Sequence, residues 1–99
     1  NAFQIRPVES GIIQHLRSTY DIDVITGETI LGSQTSGKLV TELKKFASKI
    51  ASQNQIDLML IDGPPGIGCP VIAAITDLDF AIVVIEPTSA ALHDALRFI

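Results

Sequence analysis

The sequence predicts an α/β chain, in which an open parallel sheet with flanking helices follows a β-hairpin. Residues 35–53 carry apolar side chains at helical spacing. Residues 56–61 and 79–85 are short apolar runs without alternation, which is typical of strands covered on both faces. Short loops join these parts in the order helix, strand, helix, strand, helix, and ligands of such sheets bind where the strands end.

The composition excludes several classes of protein. Hydrophobic residues make up 46% of the 99 residues and charged residues 18%, so the chain is not disordered. Seven basic and eleven acidic residues give a net charge of -4 without a basic block, which argues against nucleic-acid binding. The apolar runs are far below the ~20 residues that span a bilayer, so no membrane association is indicated. The single cysteine excludes an internal disulfide.

The first part of the chain favours a hairpin. Residues 13–17 and 22–25 are β-rich, and the turn-like residues 18–21 lie between them. Arg6-Pro7 reads as an extended entry to the first strand.

A long helix is predicted next. Thr35 or Ser36 is a suitable cap, lysines lie largely off the apolar stripe, and residues 53–55 end the helix. The stripe consists of Leu39, Val40, Leu43, Phe46, Ala47, Ile50 and Ala51.

Further helices are predicted at residues 70–76 and from about residue 89. The chain begins at Asn1 without a signal-like segment, and it stops at Ile99 without a helix cap. We therefore interpret it as a fragment of a larger protein.

The loop after residues 56–61 contains the candidate residues for Mg²⁺ and phosphate binding. Hydrophobic residues followed by Asp62 form a Walker B pattern, in which a carboxylate at a strand end organises Mg²⁺. Pro64 and Pro65 stiffen the loop, and Gly66 lets a main-chain N–H approach a terminal phosphate. The alternative is a carboxylate that caps a turn within an ordinary Pro/Gly loop.

Residues 32–38 have the spacing G-x-x-x-x-G-K of a Walker A loop, but Leu39 stands where Ser or Thr would bind Mg²⁺. The favoured interpretation is a helix-entry loop with a solvent-facing Lys38. The alternative is the P-loop of a small phosphate-binding domain.

Residues 61–74, 83–88 and 92–97 together resemble the MinD/Mrp/nitrogenase-iron-protein class of P-loop ATPases. Within it, residues 27–99 are most similar to MinD-superfamily ATPases with an inserted ferredoxin domain. The resemblance implies a deviant-Walker-A, SIMIBI-type P-loop sheet. It also implies that residues 1–34 are a hairpin or connector after the insert, and that residues 35–99 are the Walker B and switch II half of the ATPase domain.

The resemblance also implies a nucleotide site. Asp62 matches the Walker B aspartate that binds Mg²⁺, and Gly66 matches the switch glycine that contacts the γ-phosphate of ATP; these two are the predicted catalytic residues. Gly63, Pro64 and Pro65 complete the predicted nucleotide-binding loop. Asp94 and Arg97 match a helix motif without an assigned catalytic role.

Other family features lie outside this chain. The Walker A loop with its two lysines, the switch I aspartate and the ligands of a [4Fe–4S] cluster are expected upstream, and the adenine-binding segment is expected downstream. Cys69 follows Asp62 at the offset of a cluster-ligating cysteine in the nitrogenase iron protein; the alternative is a small buried residue that opens a helix. His15 and His93 have no metal-binding spacing.

The resemblance thus implies a fragment of a cytoplasmic ATPase that forms an ATP-sandwich homodimer. ATP hydrolysis would be coupled to iron–sulfur or redox chemistry, or to a partner protein. The fragment alone is expected to be inactive. The alternative is a non-catalytic dimerisation or regulatory module derived from such an ATPase.

Overall fold

The computed structural model describes residues 3–8, 11–30 and 36–99. Three strands come first: β1 (Phe3–Val8), β2 (Gly11–Arg17) and β3 (Asp23–Thr29). Three helices follow: α1 (Ser36–Gln53), α2 (Cys69–Ile75) and α3 (Ser89–Phe98). None of the helices in these ranges is long and apolar enough to cross a membrane.

The strands form one antiparallel sheet in the order β1-β2-β3. β2 and β3 pair across the turn where the sequence predicts a hairpin. The main-chain N–H of Ser18 donates to the carbonyl of Ile22 at 2.9 Å, and the Ser18 hydroxyl accepts from the N–H groups of Tyr20 and Ile22. Asp21 has a φ of 62°, a conformation that Asp tolerates better than most residues. The local turn chemistry therefore closes this hairpin.

β1 adds a third strand where the sequence indicates only an extended entry. Pro7 lies in β1, and an edge strand accepts proline because one of its sides needs no ladder hydrogen bond. Gly11 begins β2 opposite Thr29, and a Cβ at this position would lie only 2.1 Å from the carbonyl oxygen of Glu28. A glycine is thus required for this close approach of two backbones.

The predicted fold class is wrong. Within the described residues the sheet is antiparallel and is built from residues 3–29, and no strand is assigned at 56–61 or 79–85. The arrangement is therefore not a parallel open P-loop sheet. The physical reason is that apolar, β-branched composition favours a strand only where another strand supplies hydrogen-bond partners. These two segments pair with no other described strand.

Helix α1 follows the predicted bounds and lies on the sheet. Leu39 is 4% exposed, and its side chain and that of Leu43 pass about 3.6 and 3.5 Å from the position of a Cβ on Gly27 of β3. Phe46 meets the His15 ring edge-on at 6.0 Å and lies 5.8 Å from the Arg6 guanidinium. Contacts to all three strands therefore hold α1 against one face of the sheet.

Buried apolar side chains are few in the described part of the chain. They are Ile13, Leu39, Val71, Ala74 and Ala95. Ile13 is the most buried, and it lies on the central strand β2. The remaining four come from the three helices, so the core follows the contact of the sheet with α1 and the packing of α1 against α2, and Ala95 adds a buried position on α3.

Lys44 links α1 to the end of α2. Its Nζ donates to the carbonyl oxygens of Ala73 at 3.0 Å and Ala74 at 3.1 Å, and also to that of Thr76. The last carbonyls of a helix have no partner within the helix and carry partial negative charge, which a cation stabilises. Lys44 therefore caps α2 from a neighbouring helix, a role that the periodicity of α1 does not reveal.

Replacing Lys44 by Met should lower the free energy of unfolding by about 1–3 kcal/mol, because three carbonyl oxygens lose a charged donor. Urea unfolding followed by circular dichroism measures the change. Lys45→Met is the matched control, since Lys45 makes only a surface contact of 3.7 Å with Glu42. Equal effects of the two substitutions would contradict a capping role of Lys44.

Asp23 joins the sheet to the end of α1. Its Oδ1 accepts from His15 Nε2 at 2.9 Å, and its Oδ2 accepts from Asn54 Nδ2 at 3.4 Å. The hydrogen bond from His15 is the largest cause that lowers the pKa of Asp23 below its ordinary value; partial burial opposes it, and Asn54 adds to the lowering. His15 is therefore engaged in a structural pair.

This pair predicts an acid dependence of stability. A carboxyl whose pKa is lower in the folded state stabilises the fold fully above its unfolded pKa of about 3.9, and the contribution is lost as the pH falls through the folded value. Asp23→Asn should therefore flatten the dependence of the unfolding free energy on pH below about 4. The exposed Asp57→Asn is the control in the same urea titrations. An unchanged slope for Asp23→Asn would contradict the assignment.

Candidate functional site

The loop of residues 62–68 joins the apolar segment 56–61 to α2. All seven of its residues are exposed. Gly68 caps α2, since its carbonyl accepts from the N–H groups of Val71 and Ile72 at 3.1 and 3.2 Å, and Pro70 occupies the first turn, where no N–H is needed. The loop is thus anchored at its carboxyl end by the start of α2.

Gly66 has the most distinctive backbone of this loop. Its φ is +98°, which glycine adopts without the steric cost that a Cβ imposes. A Cβ placed on Gly66 would have nothing within 4 Å, so open space lies beside its main chain. A ligand could therefore approach the backbone of Gly66 closely.

A cleft of about 680 Å³ adjoins the loop. Its walls include residues 59–67 and 80–86, together with side chains of α2 and α3. Asp62, Glu86 and Asp94 are the charged residues of the lining, and all three are exposed. The described lining contains no lysine or arginine, so its charges favour a cation over a bare phosphate.

Asp62 brings one carboxylate to this cleft. The described residues contain no group of three or more His, Cys, Asp or Glu side chains that could together hold a metal ion. Mg²⁺ commonly takes one or two protein carboxylates and completes its shell with waters and substrate phosphates. A single carboxylate at Asp62 therefore fits a metal that arrives with a nucleotide, and it does not fit a metal held by protein ligands alone.

Asp94 and Arg97 lie one turn apart on α3. Asp94 belongs to the cleft lining, whereas Arg97 does not. Glu86, which follows the second apolar segment, also reaches the lining. The sequence signal for Glu86 is its place directly after residues 80–85, in the same relation that Asp62 has to residues 56–61.

Cys69 is the first residue of α2, and its thiol is free and exposed. The alternative interpretation, a small buried residue that opens a helix, is confirmed only in part, because Cys69 begins α2 but is exposed. A [4Fe–4S] cluster usually needs four cysteine ligands, and Cys69 is the one cysteine of the sequence. Two copies of this chain would supply only two, so the residues present do not fit a cluster.

The entry to α1 lies beside the entry to α2. A Cβ on Gly37 would be 3.3 Å from the Cβ of Cys69. Lys38 is exposed on the first turn of α1, as the favoured interpretation predicts, and residues 32–35 of the G-x-x-x-x-G-K spacing lie outside the described residues. The phosphate-binding loop at residues 32–38 therefore stays a hypothesis.

His93 is exposed on α3, far in sequence from His15. His15 binds Asp23, as described above. The structure therefore places Asp62 and Gly66 in one exposed loop beside a cleft, whereas Cys69, His15 and His93 lie outside the cleft lining.

Two curated proteins of Methanocaldococcus jannaschii are similar to this chain. Uncharacterized protein MJ0578 is 41% identical over 76 residues, which cover 77% of this chain and 26% of the relative. Uncharacterized protein MJ0579 is 34% identical over 76 residues, which cover 77% of this chain and 27% of the relative. No protein-family profile matches the chain, and no solved structure matches it. The chain spans about a quarter of the length of the curated relatives it matches.

Proposed function

We propose that this chain is part of an ATP-binding, ATP-hydrolysing protein of the MinD-like class. In this proposal, residues 62–66 meet the terminal phosphate of MgATP. The observation that supports it is the backbone of Gly66, whose positive φ and open surroundings occur four residues after an exposed carboxylate, Asp62. An accessible glycine main chain beside a carboxylate suits a phosphate that arrives with a divalent cation.

Four residues of the loop have stated roles in this proposal. The carboxylate of Asp62 binds the cation or a water of its shell and orients it. The main-chain N–H of Gly66 donates to a terminal phosphate oxygen. Pro64 and Pro65 reduce the number of loop conformations, which lowers the entropy cost of binding. Mg²⁺, when bound with ATP, neutralises the charge that develops on the transferred phosphoryl group.

The proposal extends to the whole protein. Two protomers would enclose ATP, and hydrolysis would be coupled to an iron–sulfur or redox partner or to another protein, in the cytoplasm. Any cluster would be ligated by residues outside this chain, because Cys69 alone does not fit one. Lysines or arginines for the phosphates would also come from outside the described cleft lining.

A second candidate is a non-catalytic dimerisation or regulatory module derived from such an ATPase. The acidic cleft favours it, because Asp62, Glu86 and Asp94 face no basic residue of the described lining. Phosphate binding depends on cationic side chains or a metal ion, and a module that has lost them would not hydrolyse ATP.

Isothermal titration calorimetry with MgATP separates the two. The natural-length polypeptide, the longer protein of which these 99 residues are proposed to be a part, should bind MgATP with a micromolar Kd. These 99 residues alone should show no binding, because the described cleft lining supplies no basic group. Micromolar binding by the 99 residues alone would contradict the need for outside cations. Absence of binding by the natural-length polypeptide would favour the regulatory module.

Gly66→Ala in the natural-length polypeptide should weaken MgATP binding by about tenfold or more, since the loss of one charge-assisted hydrogen bond is comparable to about 1.5–3 kcal/mol. The strained φ of +98° would force the loop away from its position. Gly68→Ala is the matched control: its φ is -82°, and its Cβ would make only an ordinary contact of 3.6 Å with Pro70. Equal Kd values for the two variants would contradict the role of Gly66.

A further inference from the structure

Helix α1 contacts both ends of the short helix α2. At the first turn of α2, a Cβ on Gly37 of α1 would lie 3.3 Å from the Cβ of Cys69 and 3.4 Å from its carbonyl oxygen. The glycine therefore lets the two helices approach closely. At the last turn, Lys44 Nζ donates to three carbonyl oxygens. Gly37 and Lys44 lie about two turns apart on α1, so one face of this helix holds both ends of α2.

Lys44 acts only through α2. An ammonium group has three N–H donors, and here the carbonyl oxygens of Ala73, Ala74 and Thr76 accept from it. The Lys44 side chain is half-buried, whereas the neighbouring Lys45 is exposed. All the donors of Lys44 are therefore used to hold the end of a helix, and none is left for a ligand.

α2 in turn supports the loop 62–68 at two positions. Gly68, at the end of the loop, accepts hydrogen bonds from the first turn of α2. Near the start of the loop, a Cβ on Gly63 would lie 3.7 Å from the Cβ of Ala74, which is 3% exposed. Ala74 is also the residue whose carbonyl accepts from Lys44 at 3.1 Å. A single buried alanine thus connects Lys44 to the residue that follows Asp62.

The loop has few contacts apart from those with α2. It is exposed along its whole length, and a Cβ on Gly66 would have nothing within 4 Å. Helix α1, by contrast, is fixed on the sheet through Leu39, which is 4% exposed. A loop of this kind takes its position from the rigid elements that hold its ends. The position of α2 against α1 therefore decides where the loop lies.

We propose that Gly37 and Lys44 are positioning residues for MgATP, because they hold α2 where Asp62 and the main chain of Gly66 can reach the cation and the terminal phosphate together. This inference rests on the proposed function of the loop. Misplacement of a binding group by about 1 Å can cost about 100-fold in rate, so a small movement of α2 has a large effect. Gly37, the second glycine of the G-x-x-x-x-G-K spacing, then serves helix packing.

The affinities for two nucleotides test the role of Lys44. Lys44→Met in the natural-length polypeptide should raise the Kd for MgATP by about tenfold or more and change the Kd for MgADP by less than about twofold, since only ATP carries the phosphate that meets the loop. Lys44→Arg keeps a cation with several N–H donors and should recover most of the MgATP affinity. Lys45→Met is the matched control and should change neither Kd. Isothermal titration calorimetry measures all four values.

A role of Lys44 in stability alone gives a different result, because partial unfolding weakens the binding of both nucleotides equally. An equal rise of both Kd values, or an unchanged Kd for MgATP in Lys44→Met, would overturn the inference.

A measurement without nucleotide separates this inference from the proposed function. In natural-length polypeptide labelled with ¹⁵N-glycine, the amide signals of Gly63 and Gly66 should shift in Lys44→Met and stay in place in Lys45→Met. Unshifted signals in Lys44→Met would overturn the positioning role, whatever the wild type binds. Shifted signals in a protein whose wild type binds neither nucleotide would overturn the proposed function and leave the coupling of α1 to the loop intact.

Gly37→Ala tests the other end of α2 and remains decisive if Lys44→Met fails to fold, because alanine is a better helix former than glycine. Its Cβ would force Cys69 to move by a few tenths of an ångström. The Kd for MgATP should rise by about threefold or more, with that for MgADP unchanged. Gly27→Ala is the matched control, since its Cβ would make an ordinary contact of 3.5 Å with Leu43 on the sheet side of α1. Equal MgATP affinities of these two variants would contradict the inference.

Discussion

Under the proposed ATPase function, Asp62→Asn in the natural-length polypeptide is expected to lower kcat for ATP hydrolysis by about 100-fold or more, on the scale of losing one positioned electrostatic group in an active site. Asparagine keeps the shape of the side chain but removes its negative charge, so the cation and its waters are held less firmly. Because Asp62 is exposed and has no hydrogen-bond partner among the described residues, stability should stay nearly unchanged. Steady-state release of phosphate measures the effect.

Asp79→Asn is the matched control for this experiment. Asp79 is exposed, lies outside the cleft lining and makes no described hydrogen bond, so its replacement should leave kcat and KM unchanged. A wild-type kcat for Asp62→Asn would remove the carboxylate from the proposed mechanism. Loss of activity in both variants would indicate a general electrostatic effect of the acidic surface.

The largest effect on stability is expected at Ile13. This side chain is 1% exposed on the central strand, and it pairs with Gly27, the position over which Leu39 and Leu43 of α1 lie. Residues that face each other in an antiparallel ladder share one side of the sheet, so Ile13 belongs to the sheet–α1 interface. Ile13→Ala should lower the free energy of unfolding by about 2–5 kcal/mol through lost burial and an unfilled cavity.

Ile5→Ala is the control because Ile5 is 56% exposed on the edge strand β1. Its effect should remain within about 0.5 kcal/mol, as for most exposed substitutions. Urea unfolding of both variants measures the difference between them. A small loss for Ile13→Ala would mean that the sheet–α1 interface is not the main source of stability.

The loop of the candidate site could be located from the sequence because its signals are local. Asp62 directly follows an apolar run, and Gly66, whose φ is positive, belongs to the same short loop. Glu86 has a comparable signal because it directly follows the second apolar segment, whereas only the tertiary structure shows that Asp94 of α3 belongs to the same cleft lining. The same holds for Lys44, whose three carbonyl partners lie 29 to 32 residues away.

The sequence by itself determined the elements whose hydrogen bonds are made nearby. Helix α1 satisfies its own backbone, and its apolar stripe specifies the face that packs; the β2–β3 hairpin closes through a turn of a few residues. Only the tertiary structure decided that the apolar segments 56–61 and 79–85 form no strand among the described residues, because a strand depends on main-chain partners that its own sequence does not contain. Both segments have the composition of strands, yet the sheet that forms is the antiparallel one whose strands are neighbours in sequence.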